Sequence, residues 1–369
     1  MRLLQKECGK CLRHPFLWIV CITFGLFQFL SIYTYVGNAG MRKELRQMHM
    51  AVTDEETASP EYESAYADYK KTYGGMYDTL DMRKILEQKE KMSGYEPQGV
   101  WGSWIVRNYD RLQKRVEQIR KTGEGTYDFY PGSWYKLHTT LYGKLWKKLI
   151  LQTAVLMILS MLYLMDYERI YKTQDLVLAT TTGKKMMEKK MLAGALCGLF
   201  YAGLLTAFTL LVFFAAVPFQ NLWHVPVAAC MVAEPRLQMM YPFVTFWRLE
   251  QWRYLLLALV VLVGLLGIVA AVTAAVQLFL QNSYFSFAVL GLLFMGAYLL
   301  AYVQMGNVWD LIRELFNPTV LYVTSGGWFM ENDLCLSFAG NEFAVLFCSG
   351  TAAVCLMAVG KRRYHRLEV

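Results

Sequence analysis

The stretch Tyr254–Leu280 reads YLLLALVVLVGLLGIVAAVTAAVQLFL, and it contains no Asp, Glu, Lys or Arg. A helix of this length reaches about 40 Å at a rise of about 1.5 Å per residue. That exceeds the hydrocarbon core of a bilayer, which is about 30 Å thick. Five further blocks share its character: Pro15–Tyr35, Leu149–Met165, Met191–Val217, Phe285–Met305 and Phe343–Val359. None carries a charged side chain, as expected where an ionised group near the bilayer centre costs at least a few kcal/mol. The second and sixth blocks are short and can extend a turn into their flanks. The predicted fold class is an all-α polytopic membrane protein with about six transmembrane helices and a helical extracellular insert between the first and second. Residues 1–36 form an N-terminal connecting helix and first span, 37–145 the insert, and 146–369 spans two to six. The first apolar run is longer than the core of a cleaved signal peptide, so an uncleaved helix is expected.

Orientation follows the basic residues of short segments. Arg2, Lys6, Lys10 and Arg13 precede the first span; Arg169, Lys172, Lys184, Lys185, Lys189 and Lys190 separate the second from the third; Lys361, Arg362, Arg363 and Arg366 follow the last. Six crossings put these three segments on one side, the cytoplasmic one, with both termini inside and the insert outside. Arg236, Arg248 and Arg253 run against the rule. The net charge of +8 is accounted for by cytoplasmic basic patches against anionic lipid, and a nucleic-acid partner is not required.

Met1–His14 reads as an amphipathic helix in the membrane interface, or as a basic topogenic tail. In the insert, Ile105, Tyr109, Leu112, Val116 and Ile119 recur at helical spacing. Further helices are expected over Met76–Lys91 and Pro60–Lys71, making a small helical ectodomain of about a hundred residues. Pro242–Trp247 reads as an interfacial aromatic belt. Gln281–Tyr284 joins the fourth and fifth spans as a tight hairpin, and the following outer segment, Asn307–Asn341, is expected to be helical over Trp309–Phe316. Cys8 and Cys11 form a Cys-Gly-Lys-Cys pair with no second Cys or His pair beside it in sequence, which disfavours a metal or redox site. Cys230 and Cys335 fall in different outer segments; the sequence permits a disulfide between them but sets no distance.

Catalytic patterns are missing. The five histidines are scattered, no Walker A loop is present, and the spans offer only glutamines and hydroxyls as polar groups. The lack of an intramembrane carboxylate argues against proton-coupled transport. No metal or other cofactor is expected in the chain. Gly194 and Gly198 form a small-xxx-small contact in the third span, which implies close helix packing and leaves a dimer face open.

The order of these parts resembles the membrane subunit of an ABC-2 type ABC transporter. The resemblance rests on the basic opening Leu4–Pro15, the large insert, and Glu168 followed by Thr182-Gly183-Lys184-Lys185 and Lys190 ahead of the third span. Pro242–Trp247, the short Gln281–Tyr284 link and the closing Lys361-Arg362-Arg363-Tyr364 add to it. Lys184 stands where the family more often has Arg, which weakens any bidentate contact there. The resemblance implies a permease subunit of an exporter in the bacterial plasma membrane, paired with a second permease subunit, identical or not. A separate cytoplasmic ATPase subunit would bind ATP and Mg. The Asp166–Lys190 loop would be the coupling loop, with Glu168, Gly183, Lys184, Lys185 and Lys190 as transmitting residues. The competing reading is a membrane sensor or scaffold with a ligand-binding ectodomain.

Overall fold

The computed structural model describes residues 2–38, 40–42, 75–93, 99–125, 136–173, 183–217, 219, 222–230, 243–303, 308–331 and 338–367, with isolated positions between 60 and 71. Its main helices are α1 (Arg2–Leu12), α2 (Pro15–Val36), α3 (Met82–Ser93), α4 (Gly99–Thr122), α5 (Trp146–Met165), α6 (Gly183–Ala216), α7 (Gln251–Leu280), α8 (Ser283–Leu300), α9 (Val308–Phe316), α10 (Thr319–Val323) and α11 (Asn341–Leu367). Among the described residues the only β-type pairings are isolated antiparallel bridges, Pro226 with Glu250 and Thr245 with Met330. Among the described residues, six helical runs are long and apolar enough to cross a membrane: Pro15–Val36, Lys136–Met165, Met186–Ala216, Gln251–Leu280, Ser283–Leu300 and Asn341–Tyr364. The architecture is that of an all-α, multi-pass membrane protein.

Local chemistry sets several boundaries. Pro15 occupies the first turn of α2, where its missing N–H costs nothing. Gln281 ends α7 in the left-handed region (φ 51°), and the Asn282 side chain caps α8 by accepting from the Tyr284 and Phe285 N–H groups. The α7–α8 link is therefore two residues, shorter than the four expected. The second span reaches back to Lys136 through a π-helical segment, Thr139–Leu145. Its lysines are kept near that end: Lys148 Nζ donates to Ser31 Oγ and Tyr35 OH at 3.0 and 3.1 Å. The fifth span stops at Leu300 and the sixth begins at Asn341, so the sixth takes in a carboxylate that its expected limits left out. Glu342 is 1% exposed and accepts a hydrogen bond from Phe329 N at 2.5 Å.

The bundle packs closely where α5 meets α6. A Cβ on Gly194 or on Gly198 would stand 3.0 Å from the Cα of Met161 or of Met157 respectively, so both glycines face α5 of the same chain. Gln28 and Gln152 join α2 to α5 by a buried hydrogen bond of 2.7 Å. Helix α7 packs against α11, with Gly264 beneath Leu346 and Gly360 against Leu278.

The insert does not close on itself. Helices α3 and α4 bury Met82, Ile85, Tyr109, Leu112, Val116 and Ile119 together with Ala228 and Val244, which come from the segment between α6 and α7. Tyr77 OH donates to the Phe243 carbonyl at 2.9 Å. Arg115 pairs with Glu124 at 2.5 Å and donates to the Thr245 carbonyl at 3.1 Å, and both charged residues are buried. In the segment expected to be an interfacial belt, Phe243, Phe246 and Trp247 are half-buried while Val244 and Thr245 between them are buried; Phe246 N donates to the Phe329 carbonyl, and Glu331 N donates to the Val244 carbonyl. The helix expected over Met76–Lys91 begins at Met82, after a turn. More than half of the expected Pro60–Lys71 helix lies outside the described residues.

Candidate coupling site

Helix α1 is short and strongly amphipathic, and it docks against α6 and α5. Cys11 is fully buried there, and its carbonyl accepts from Tyr201 OH at 3.3 Å. The Cys197 thiol reaches the Cys8 carbonyl at 3.8 Å, and the His14 ring packs 4.2 Å from that of Tyr163. Glu7 and Lys10, three residues apart, share one face of α1 and form an ion pair at 2.6 Å.

Helix α5 ends at Met165 with Asp166 as its C-cap, and a single turn, Tyr167–Ile170, follows. Lys172 then adopts a left-handed conformation (φ 55°), which returns Thr173 N to the Glu168 carbonyl at 2.8 Å. This reversal holds Glu168 in the interior, 7% exposed. Its carboxylate meets two cations: Oε1 lies 3.3 Å from Lys10 Nζ, and Oε2 is ion-paired with Lys190 of α6. Lys10 also sits over the Tyr167 ring, 4.4 Å from its centroid.

The result is an alternating chain, Glu7, Lys10, Glu168, Lys190, drawn from three elements. Glu7 and Lys190 are 1% and 4% exposed. Taking such ions out of water costs several kcal/mol each, and only mutual pairing offsets it. The four charges cancel, so the cluster is stable only while the three elements keep their relative positions. Beside it lies a cavity of about 400 Å³ lined by Asp166, Glu168, Lys190, Gln277, Asn282 and Tyr364. The remaining helix ends are tied to the same rim: Ser283 N donates to Asp166 Oδ2 at 3.4 Å, and Lys361 pairs with Glu188 at 2.6 Å.

Of the residues singled out in the sequence, Glu168 and Lys190 are therefore in contact. Gly183 opens α6, and Lys184 and Lys185 follow in its first turn. The side chains of these two lysines, and Thr180–Thr182 before them, lie outside the described residues. Cys230 ends a single helical turn, Val227–Cys230; its side chain, like Cys335 altogether, lies outside the description. Against family models, curated proteins and solved structures, the chain gives no match.

Two members of the cluster, Glu7 and Lys10, escape sequence reasoning. In sequence they read as part of a basic lead-in, and the one usable signal is their spacing of three on an amphipathic helix. Cys197 likewise joins Cys8 and Cys11 only through docking of α1. The Cys8 thiol is pushed up to about 11, chiefly by burial. Among the described residues, no group of three His, Cys, Asp or Glu side chains has the arrangement of a metal site. What the cluster can do is mechanical: it latches α1 and the turn after α5 to the start of α6, so a force on any one of them reaches the others.

Proposed function

We propose that this chain is the membrane-spanning permease subunit of an ATP-binding cassette exporter in a bacterial plasma membrane, with both termini cytoplasmic and the insert outside. The observation that carries the reading is the bridging of Lys10 and Lys190 by Glu168, immediately beside the segment that would meet an ATPase. A cytoplasmic ATPase, binding ATP and Mg, would engage the Asp166–Lys190 loop. Movement of that loop would be passed through Glu168 to α1 and into α6, whose glycines hold it against α5. Such a rigid-body switch needs an element with two stable arrangements and contacts that differ between them. A charge cluster buried between separate helices supports the reading, because it would move as a unit instead of deforming by degrees and exposing an unpaired ion. A second permease subunit, the same or different, would complete the pathway.

The test is a mild-detergent pull-down of the tagged chain from its native membrane, with mass spectrometry of what co-purifies. A stoichiometric protein with a Walker A loop is the expected result. Its repeated absence from preparations of intact chain would overturn the reading in favour of a sensor or scaffold.

A further inference from the structure

The groove between α2 and the second span carries two cations that no carboxylate answers. Lys144 and Lys148 lie four residues apart near the insert end of that span. Among the described residues Lys148 meets neutral partners: its Nζ donates to Ser31 Oγ and Tyr35 OH at 3.0 and 3.1 Å, and it lies 5.1 Å from the centroid of the Phe27 ring. Lys144 Nζ lies 5.1 Å from the centroid of the same Tyr35 ring, and neither lysine has an ion pair among the described residues. Ser31 stands five residues before the end of α2, so Lys148 is held about 7.5 Å below that end. A lysine near a helix end ordinarily extends its ammonium to the headgroups. Lys148 is instead half-buried and tied across to α2, where a cation without a counter-charge is costly.

Counting donors shows what is left over. An ammonium has three N–H groups, and Ser31 and Tyr35 engage two of those on Lys148. The Tyr35 hydroxyl accepts from Lys148 and keeps its own proton to donate. With the exposed Lys144, the groove therefore presents three unused donors around one ring, the arrangement an anion's oxygens require. Lys144 lies in the last turn of the π-helical segment, a kind of helix found frequently at functional sites. Deeper along the same two stripes the chemistry changes. Phe27, four residues before Ser31, and Leu151, three after Lys148, are 49% and 41% exposed. Beside them the buried Gln28–Gln152 hydrogen bond joins the two helices at the groove's base.

We propose that this groove binds an anionic phospholipid of the leaflet on the insert side. Lys144, Lys148 and the Tyr35 hydroxyl hold its phosphate, and an acyl chain lies over Phe27 and Leu151. Lipid is the occupant, and not a soluble anion, because the apolar surface runs directly from the cations into the depth of the span. The site is independent of coupling to an ATPase.

The full chain is reconstituted into phosphatidylcholine vesicles containing a little phosphatidylglycerol with a diazirine in its acyl chain. A parallel sample carries the same chain on phosphatidylcholine. Photolysis and peptide mass spectrometry give the labelling of Phe27 and Leu151 relative to Leu292, which is 72% exposed on α8 and reports bulk lipid. That ratio is expected to be at least about fivefold higher for phosphatidylglycerol, the preference that a single lysine near a membrane surface confers. The excess should persist in millimolar inorganic phosphate and fall several-fold in a Lys144→Gln/Lys148→Gln variant. If circular dichroism shows that the double variant does not fold, Lys144→Gln alone and Tyr35→Phe take its place. Equal ratios for the two lipids, or an undiminished excess in the folded variants, would overturn the proposal. Loss of the excess in inorganic phosphate would also overturn it, by making the ligand a soluble anion. Absence of label from either lipid, with cross-links between copies at α2, would overturn it in favour of a second chain as the cover.

Discussion

Glu168 and Lys190 form a buried ion pair across the ends of α5 and α6, and Lys10 of α1 closes on the same carboxylate. Converting Glu168 to Gln leaves the Lys190 ammonium buried without its counter-charge. Loss of one partner of such a pair typically costs ~3–5 kcal/mol. The Glu168→Gln and Lys190→Met single variants are each expected to be strongly destabilised, and the double variant much less so than the sum. Unfolding of purified protein in detergent micelles, followed by circular dichroism, measures all three. Strictly additive losses would mean that the two side chains are not energetically coupled.

A contrast between two glycines of α6 tests the packing. A Cβ at Gly198 meets the Met157 backbone at 3.0 Å, while at Gly203 it meets nothing within 4 Å. Alanine favours a helix over glycine by up to about 1 kcal/mol, but overpacking costs about 1–3 kcal/mol when backbone must move. Gly198→Ala is expected to lower thermal stability and Gly203→Ala to leave it unchanged or raise it. Equal responses at the two sites would show that α5 and α6 are not in close contact at Gly198.

The spans were legible because hydrocarbon imposes a demand on composition that a sequence displays directly: about twenty residues without a charge. Their limits were less legible, since a charge is allowed at the margin when something else satisfies it. Lys148 finds Ser31 and Tyr35, and Glu342 finds the Phe329 N–H; neither partner is near in sequence. The same holds at the candidate site. Glu168 and Lys190 stand out by pattern, but the role of Lys10 depends on where α1 docks, 158 positions from its partner. The apolar stripe of α4 announces a buried face without saying what covers it, and Val244 could not be anticipated.

Arg115 bonds both within the insert and to the segment that leads into α7. An Arg115→Met variant keeps much of the packing volume but takes the nearer cation from the Glu124 carboxylate, which is 4% exposed and keeps Arg248 at 3.7 Å and the Thr122 hydroxyl at 3.1 Å. The α3–α4 unit is expected to loosen from the segment holding Val244 and Thr245 while the membrane helices remain assembled. Hydrogen exchange should rise at Val244–Phe246 and along α4, with α5–α6 unaffected. Unchanged protection of Val244–Phe246 would mean that the shared apolar core alone holds the insert in place.

Cys8 offers a test that needs no substitution. Burial is the largest cause raising its pKa to about 11, and the neighbouring Cys197 and Glu7 act in the same direction. The thiolate is the reactive form, and an ordinary free thiol has a pKa of about 8.5. A folded-state value above the unfolded one means that the native state disfavours the thiolate. The associated stability is complete below the unfolded pKa and declines as pH rises toward 11. Iodoacetamide at pH 8 should therefore modify Cys8 in the intact protein at least about tenfold more slowly than free cysteine, even allowing for the greater nucleophilicity of a more basic thiolate. The rate should climb steeply between pH 9 and the folded value of about 11, and peptide mass spectrometry reports the site directly. Rapid alkylation at pH 8 would show that α1 spends much of its time undocked, and the charge cluster it completes with Glu168 and Lys190 would then be intermittent as well.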